Sequence, residues 1–291
     1  MKSDEKHRIC VRKKRIESVP SIDLLIKVET NYCIDEIVCK TSLLENKYDE
    51  NILHEIRISL RKLKSLIYFF KGYLLKKDFT EIKNIIRKLI APTSKARDYD
   101  VVKANYIYPI YLKNKRNDDY KTFMIHSINE IHYLQEETLK ILSSQEYLTT
   151  LMDLKTLVNK YSWDNKPKLH PDNSLRKYVE NNINKELRAI YSNIKDSYNL
   201  PRKKLHHLRI RIKEIRYVTE LLKFYIKKYK TTLRDLKVLQ DILGEINDTY
   251  AADSIIHDLD ITKYLSSQHK HIEKKILKHR NSSFRKLKHQ I

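Results

Sequence analysis

An all-α fold is predicted by three features of the sequence. Glycine occurs only at Gly72 and Gly244, and proline six times in 291 residues, whereas sheet-rich folds place glycine at hairpins and bulges. Apolar residues recur at three- and four-residue steps, as in Ile52, Ile56, Leu60, Leu63, Ile67 and Phe70, the period of a helix with one buried face. Hydrophobic residues make up 41% of the chain, which sets it apart from compositionally disordered sequences. A chain of this length can bury a core in one large domain or two modest ones.

The elements follow in order. Residues 1–20 form a basic lead-in with Arg12, Lys13, Lys14 and Arg15 in a row, read as a mobile tail ending at Pro20. Ser21 can cap a helix over 22–46. A second helix starts near Asp49 and ends between Gly72 and Leu75. Thr80 opens a shorter helix that runs to Ala91 and is stopped by Pro92. Another runs from Ser94 to Leu112, with a kink expected at Pro109. Helical patterns cover 118–142 and 145–160. Residues 161–173, with Pro167 and Pro171, read as the linker of the chain. Beyond it, helices are expected over 174–197, 201–229, 231–243, 245–258 and 261–290. Pro201 suits a helix start, and Gly244 reads as a break between two helices. The predicted organisation is thus a tail, 1–20, and one domain, 21–291, made of two helical halves, 21–160 and 174–291.

The chain carries 59 basic and 37 acidic side chains, a formal charge of +22. Such a surplus repels itself in a compact fold and suits an anionic partner: nucleic acid, a membrane surface or a phosphate polymer. A lysine-rich chain with solvated faces would have the same composition, so placement must decide. Cys10, Cys33 and Cys39 form neither a disulfide framework nor a zinc pattern, and the last two read as small apolar residues of one helix. The sequence has no run of 18 apolar residues and no apolar stretch of the kind a secretory leader carries, so neither a membrane span nor secretion is expected, and the cytoplasm is the expected location.

The most informative feature is an internal repeat. His54, Arg57, Arg61 and Lys64 are spaced as His206, Arg209, Lys213 and Arg216 are: a histidine, then a basic residue at +3, +7 and +10. The copies lie 152 positions apart (54 to 206), and His206 keeps the spacing where its neighbour His207 does not. On a helix these offsets fall within about 80° of arc, so the four side chains share one stripe about 15 Å long. Like charges three and four residues apart weaken a helix by a few tenths of a kcal/mol per pair, and neither stripe contains an acid to relieve them. A solvated basic face explains one copy as well as function does; two copies with histidine in one register favour an anion held on the stripes.

A second correspondence follows. Arg97-Asp98 comes after the first stripe and Asn247-Asp248 after the second. Ten residues before each pair stand Arg87 and Lys237, and three before stand Ser94 and Gly244. Each half reads as a basic helix, a short helix, a break and a helix opening with an acid. That aspartate can cap its helix or orient an arginine of the stripe.

In these residues the chain resembles the CHAD family, the histidine α-helical domains. The resemblance rests on His54-x-x-Arg57-x-x-x-Arg61-x-x-Lys64 and on Leu205-His206-x-Leu208-Arg209 through Arg216-Tyr217. It extends to Leu239-Gln240-Asp241-Ile242-Leu243-Gly244 with Asn247-Asp248, and to Ala96-Arg97-Asp98-Tyr99-Asp100-Val101. It spans roughly residues 22 to 290; Ser94 stands where the family has glycine before Arg97. The resemblance implies two pseudo-symmetric helical bundles around a basic central channel, binding of inorganic polyphosphate, and association with polyphosphate granules. Carried onto this chain, it implies a channel lined by His54, Arg57, Arg61, Lys64, His206, Arg209, Lys213 and Arg216, with Arg87, Arg97 and Lys237 as further candidates. The alternating glutamates and lysine that open a fused triphosphate-tunnel domain do not occur, so a stand-alone, non-catalytic binding domain without a cofactor is expected. Arginine grips phosphate oxygens bidentately and lysine acts as a point charge. Histidines among cations lose their protons more readily in the empty site, so tighter binding is expected at mildly acidic pH.

Two other classes compete. Non-specific nucleic acid is the main rival partner: 20 tyrosines, with Tyr106, Tyr108 and Tyr111 near Pro109, can stack on bases, although tyrosines on amphipathic helices more often pack half-buried. The basic C-terminal run Lys274, Lys275, Lys278, Arg280, Arg285, Lys286 and Lys288 suits an acidic protein or lipid surface if it is not simply a solvated face. An enzyme reading from His257-Asp258 lacks further metal ligands. His126/His132 and His269/His271 do not share a helix face closely enough for a metal. No glycine-rich phosphate loop and no nucleophile with an evident base is present.

Overall fold

The computed structural model describes residues 21–44, 47–163, 175–195, 200–223, 225 and 227–289, and among these every regular element is helical. The basic tail with Cys10, residues 164–173 of the predicted linker and the last two residues of the chain lie outside the described residues.

The first half holds α1 (Ile22–Ser42), α2 (Glu50–Phe69), α3 (Lys76–Ile90), α4 (Pro92–Val102), α5 (Tyr108–Lys113), α6 (Asp118–Leu142) and α7 (Gln145–Lys160). The second holds α8 (Leu175–Lys195), α9 (Arg202–Leu222), α10 (Lys230–Asp258), α11 (Ile261–Tyr264) and α12 (His269–Lys288). Side-chain caps set the starts. Ser21 Oγ accepts from the Leu24 amide at 3.2 Å, Asp49 Oδ1 from Asn51 at 2.7 Å and Ile52 at 3.1 Å, and Asn117 Oδ1 from Asp119 at 2.9 Å. Ser144 Oγ accepts from Tyr147 at 3.2 Å. Each satisfies amides that the first helical turn leaves without a partner.

Several boundaries differ from expectation. Thr80 does not open α3, which starts at Lys76; the Thr80 hydroxyl donates back to the Lys76 carbonyl at 2.8 Å, the inward bond threonine makes inside a helix. Ser94 does not open α4: Pro92 sits at its first turn, where no amide hydrogen is needed. The irregularity expected at Pro109 falls before it, as a π-helical turn over Lys103–Ile107, and Pro109 lies in the first turn of α5. The helix expected over 201–229 ends at Leu222, and a short 3-10 turn covers Lys227–Tyr229. The helix expected over 261–290 is divided into α11 and α12, with Asp260 left-handed at φ 53° before α11.

Gly244 makes no break, because α10 continues unbroken through it. A glycine inside a helix costs about 1 kcal/mol relative to alanine. Leu236, Leu239, Ile242, Leu243 and Ile246 are all buried around it, and each large buried side chain contributes about 1.5–3 kcal/mol. Packing therefore outweighs propensity. Of the cysteines, Cys33 is buried as expected, but Cys39 is exposed.

α2 is the hub of the first half, in contact with α1, α3, α4 and α9. α9 packs on α8 and α10, and α10 reaches α4. The apolar core falls into two clusters, and each draws on both halves. One gathers Ile34, Ile56, Leu60, Leu63 and Leu154 with Ile183, Ile212, Val218 and Leu243. The other gathers Val102, Ile107, Phe123 and Ile131 with Ala252, Ile256, Leu265 and Ile276. Trp163, inside the predicted linker, is fully buried: its Nε1–H donates to the Val158 carbonyl and its amide to Asp23, each at 3.1 Å. This packing lays α2 against α9 at the middle of the molecule, and those two helices carry the stripes.

Candidate functional site

The two stripes converge. A cavity of about 330 Å³ is lined by His54, Arg57 and Arg61 from α2, by Ser94, Arg97 and Asp98 from α4, by His206, Arg209, Lys213 and Tyr217 from α9, and by Asn247 and Asp248 from α10. A second compartment of about 190 Å³ shares Arg61, His206, Arg209, Lys213 and Tyr217 and adds Lys64, Ser65 and Glu214. Both helices bury the opposite face, Ile56, Leu60 and Leu63 on α2 and Leu208, Ile212 and Ile215 on α9. The apolar register of each helix thus aims its stripe.

Of the eleven residues the sequence singles out, His54, Arg57, Arg61, Arg97, His206, Arg209 and Lys213 line the larger compartment and Lys64 the smaller. Arg216 turns aside: its Nε donates to Gln240 Oε1 at 2.8 Å and its Nη1 to Glu220 at 3.2 Å. Arg87 and Lys237 are exposed on α3 and α10 and line neither compartment.

The aspartates are inside their helices and cap nothing. Asp98 Oδ1 lies 3.6 Å from Arg57 Nη2, and Asp248 Oδ1 lies 3.9 Å from Arg209 Nη2, so each orients the arginine at the same place in its stripe. Relief of the like charges also comes from residues outside the stripes: Lys64 Nζ donates to Glu214 Oε1 at 3.1 Å across the cleft. Arg57 is 7% exposed and its Nη1 donates to the Thr93 carbonyl. Asn247, which the sequence offered only as a counterpart of Arg97, holds His206: its Oδ1 lies 3.0 Å from Nδ1, which leaves the other ring nitrogen open. Tyr217, unmarked in the sequence beyond its place in the motif, walls both compartments.

The cationic groups are only partly balanced. Five, on Arg57, Arg61, Arg97, Arg209 and Lys213, face two carboxylates in the larger compartment. Burial, then the charges of Arg209 and Arg61, push the Lys213 ammonium down to about 6 against the pull of Asp248, with Arg57 adding to the shift. Burial and Arg61 lower Arg57 to about 10, with Asp98 opposing. His54, although it keeps an open surface, is lowered by partial burial and by Arg97, Arg57, Lys213 and Arg61. Among the described residues, the buried Arg209 Nε has no hydrogen-bond partner. Such a site is raised in energy while empty and lowered by an anion that reaches several of these groups at once.

The other candidates are placed elsewhere. Tyr106 is buried and its hydroxyl meets His279 Nδ1 at 3.0 Å, while Tyr108 is exposed. The C-terminal run is not a uniformly solvated face. Arg280 lies over the Tyr250 ring at 4.0 Å and bonds Asp253 at 3.1 Å, and Lys286 bonds Glu245. His257 pairs with Glu273 at 3.2 Å. Among the described residues no group of three His, Cys, Asp or Glu side chains is placed to hold a metal, and no helix is long and apolar enough to cross a membrane.

Comparison with known proteins places the fold. The profile of the CHAD domain matches residues 31–257. The crystal structure of the CHAD domain from the plant Ricinus communis superposes with a TM-score of 0.73 at 16% identity, covering 94% of this chain and 93% of that one. PptA from Streptomyces chartreusis superposes with a TM-score of 0.62 at 10% identity, covering 90% of this chain and 99% of that one. No curated protein matches the sequence significantly.

Proposed function

The chain belongs to the CHAD domain family, and on that premise we propose that it binds inorganic polyphosphate in the cleft between α2 and α9 without acting on it chemically. The observation that carries this reading is the convergence of two sequence-matched stripes on one under-neutralised cavity. Polyphosphate carries closely spaced negative charge along a flexible chain. It can meet the forked guanidinium groups of Arg57, Arg61, Arg97 and Arg209, the point charges of Lys213 and Lys64, and the ring nitrogens of His54 and His206 in succession. Both carboxylates of the larger compartment face arginines, an arrangement that suits holding an anion more than transforming it. Arg87, Lys237 and Arg216 extend the positive field outside the cleft. In the cell the protein would be cytoplasmic and would gather at polyphosphate granules.

The test is a salt titration of binding to long-chain polyphosphate with DNA of matched charge as competitor. A variant with Arg57, Arg61, Arg209 and Lys213 changed to glutamine is run alongside. Strong preference for polyphosphate that collapses in the variant supports the reading. Equal binding of the two polymers, or normal binding by the variant, replaces it with diffuse charge attraction and with the nucleic-acid or scaffold alternatives.

A further inference from the structure

Among the residues that line the larger compartment, Lys213 carries the one amine, the other permanent cations being guanidinium groups. It lines both compartments. Arg57 and Asp98, Arg209 and Asp248, and Lys64 and Glu214 are paired, and Arg97 donates to the Glu50 carbonyl at 3.4 Å, but Lys213 Nζ, like the Arg61 guanidinium, has neither a hydrogen bond nor an ion pair among the described residues. The groups that act on it come from three walls: Arg61 and Arg57 on α2, Arg209 on its own helix and Asp248 on α10. His54, His206, Arg97, Asp98 and Tyr217 complete the titratable lining of the larger compartment, and Lys64 and Glu214 that of the smaller.

We propose that Lys213 is a nucleophilic amine set inside an anion-binding pocket and a site of N-acylation by small acyl phosphates. An acyl phosphate joins the two features this cleft separates. Its phosphate suits the guanidinium groups of Arg57, Arg61 and Arg209, and its carbonyl carbon then lies within reach of an amine that no other side chain engages. The Nζ lone pair attacks the acyl carbon, and the C–N amide bond forms as the C–O bond to phosphorus breaks. The phosphate leaves with that electron pair, and the proton released by nitrogen goes to it, giving hydrogen phosphate. No oxidant or metal is needed. The depressed basicity of Lys213 acts in the same direction, because an ordinary lysine is almost wholly protonated and inert at neutral pH.

The inference rests on the cleft's taking phosphate anions, and not on polyphosphate being the anion it takes. Acylation removes the charge Lys213 would regain against a polyanion, so modified protein binds polyphosphate more weakly. A polyphosphate chain in the cleft in turn excludes the reagent and protonates the amine.

The experiment treats the full chain with acetyl phosphate at pH 7 and follows site occupancy by mass spectrometry, with exposed Lys270 as internal standard. A parallel arm uses an uncharged acetyl ester. The expected result is acetylation of Lys213 about tenfold or more faster than Lys270, with a smaller preference for the neutral ester, loss of the preference in Arg57→Gln/Arg61→Gln, and a preference that shrinks toward pH 9 as ordinary lysines deprotonate. Reaction of Lys213 no faster than Lys270 overturns the proposal, and equal preference with both reagents overturns the acyl phosphate assignment. Polyphosphate binding is measured on the same untreated sample, so failure of the binding reading registers independently.

Discussion

At Lys213 the physics of the site is concentrated on one nitrogen. In the empty cleft its ammonium lies at about 6, against an ordinary 10.5, and His54 is lowered beside it. A polyanion raises both, so binding takes up protons, and affinity grows as pH falls from the value in the complex toward the value in the empty protein. Binding is expected to be severalfold tighter at pH 6 than at pH 8 at fixed ionic strength. Calorimetry in two buffers of different ionisation enthalpy reads the uptake; equal affinities without uptake would sink the idea. The same depression acts on folding in the other sense. Between about pH 6 and 10.5 the unfolded lysine holds a proton that the folded one does not, so this residue's penalty is full below pH 6 and disappears as pH rises toward 10.5. Lys213→Met is therefore expected to stabilise the empty protein by about 1–4 kcal/mol while weakening polyphosphate binding. A lowered Tm in thermal melts would show that the amine has a structural partner after all.

At the scale of helices, α10 shows where local signals mislead. Gly244 lies inside it, with open space for 4 Å around an added Cβ and no positive φ. Gly244→Ala is expected to stabilise the protein by about 0.5–1 kcal/mol, measured by urea unfolding; a destabilised variant would mean that the helix gives way there. What was legible in the sequence follows the same division. The 3.6-residue period of α2, the cap at Ser21, the helix start near Asp49 and the register of the stripes as far as Lys64 and Lys213 are local properties, and the structure shows them. The ends of α3 and the continuity of α10 depend on burial contributed by distant helices, which no window of sequence contains. In the site, His54, Arg57, Arg61, His206, Arg209 and Lys213 were readable because they repeat. The partnership of Asp98 with Arg57 could be posed but not decided, since a cap and an ion pair share one residue type. Glu214 was invisible as a partner of Lys64, because it lies off the stripe and meets it only when α2 and α9 pack together.

Over the whole molecule, the charge of +22 acts through the field and through counterions. Polyphosphate binding should weaken steeply with salt, as polyanion binding generally does. The slope of log K against log salt is expected to fall by about one for each cleft cation removed, with exposed lysines such as Lys270 contributing far less. Titrations of Arg61→Gln and Lys270→Gln over a range of potassium chloride concentrations compare the two; equal slopes would mean that the field of the whole surface, and not the cleft, holds the chain. The crossing of the two cores has a consequence in time. The stripe on α2 leaves the ribosome about 150 residues ahead of the stripe on α9, and the apolar surfaces that press the helices together come from both halves. Closing the cleft therefore waits for the second half to be made, and it brings two cationic walls together. On the proposed reading, a polyanion lying along α2 would offset that repulsion, and the ligand would also serve as a template for closing the cleft.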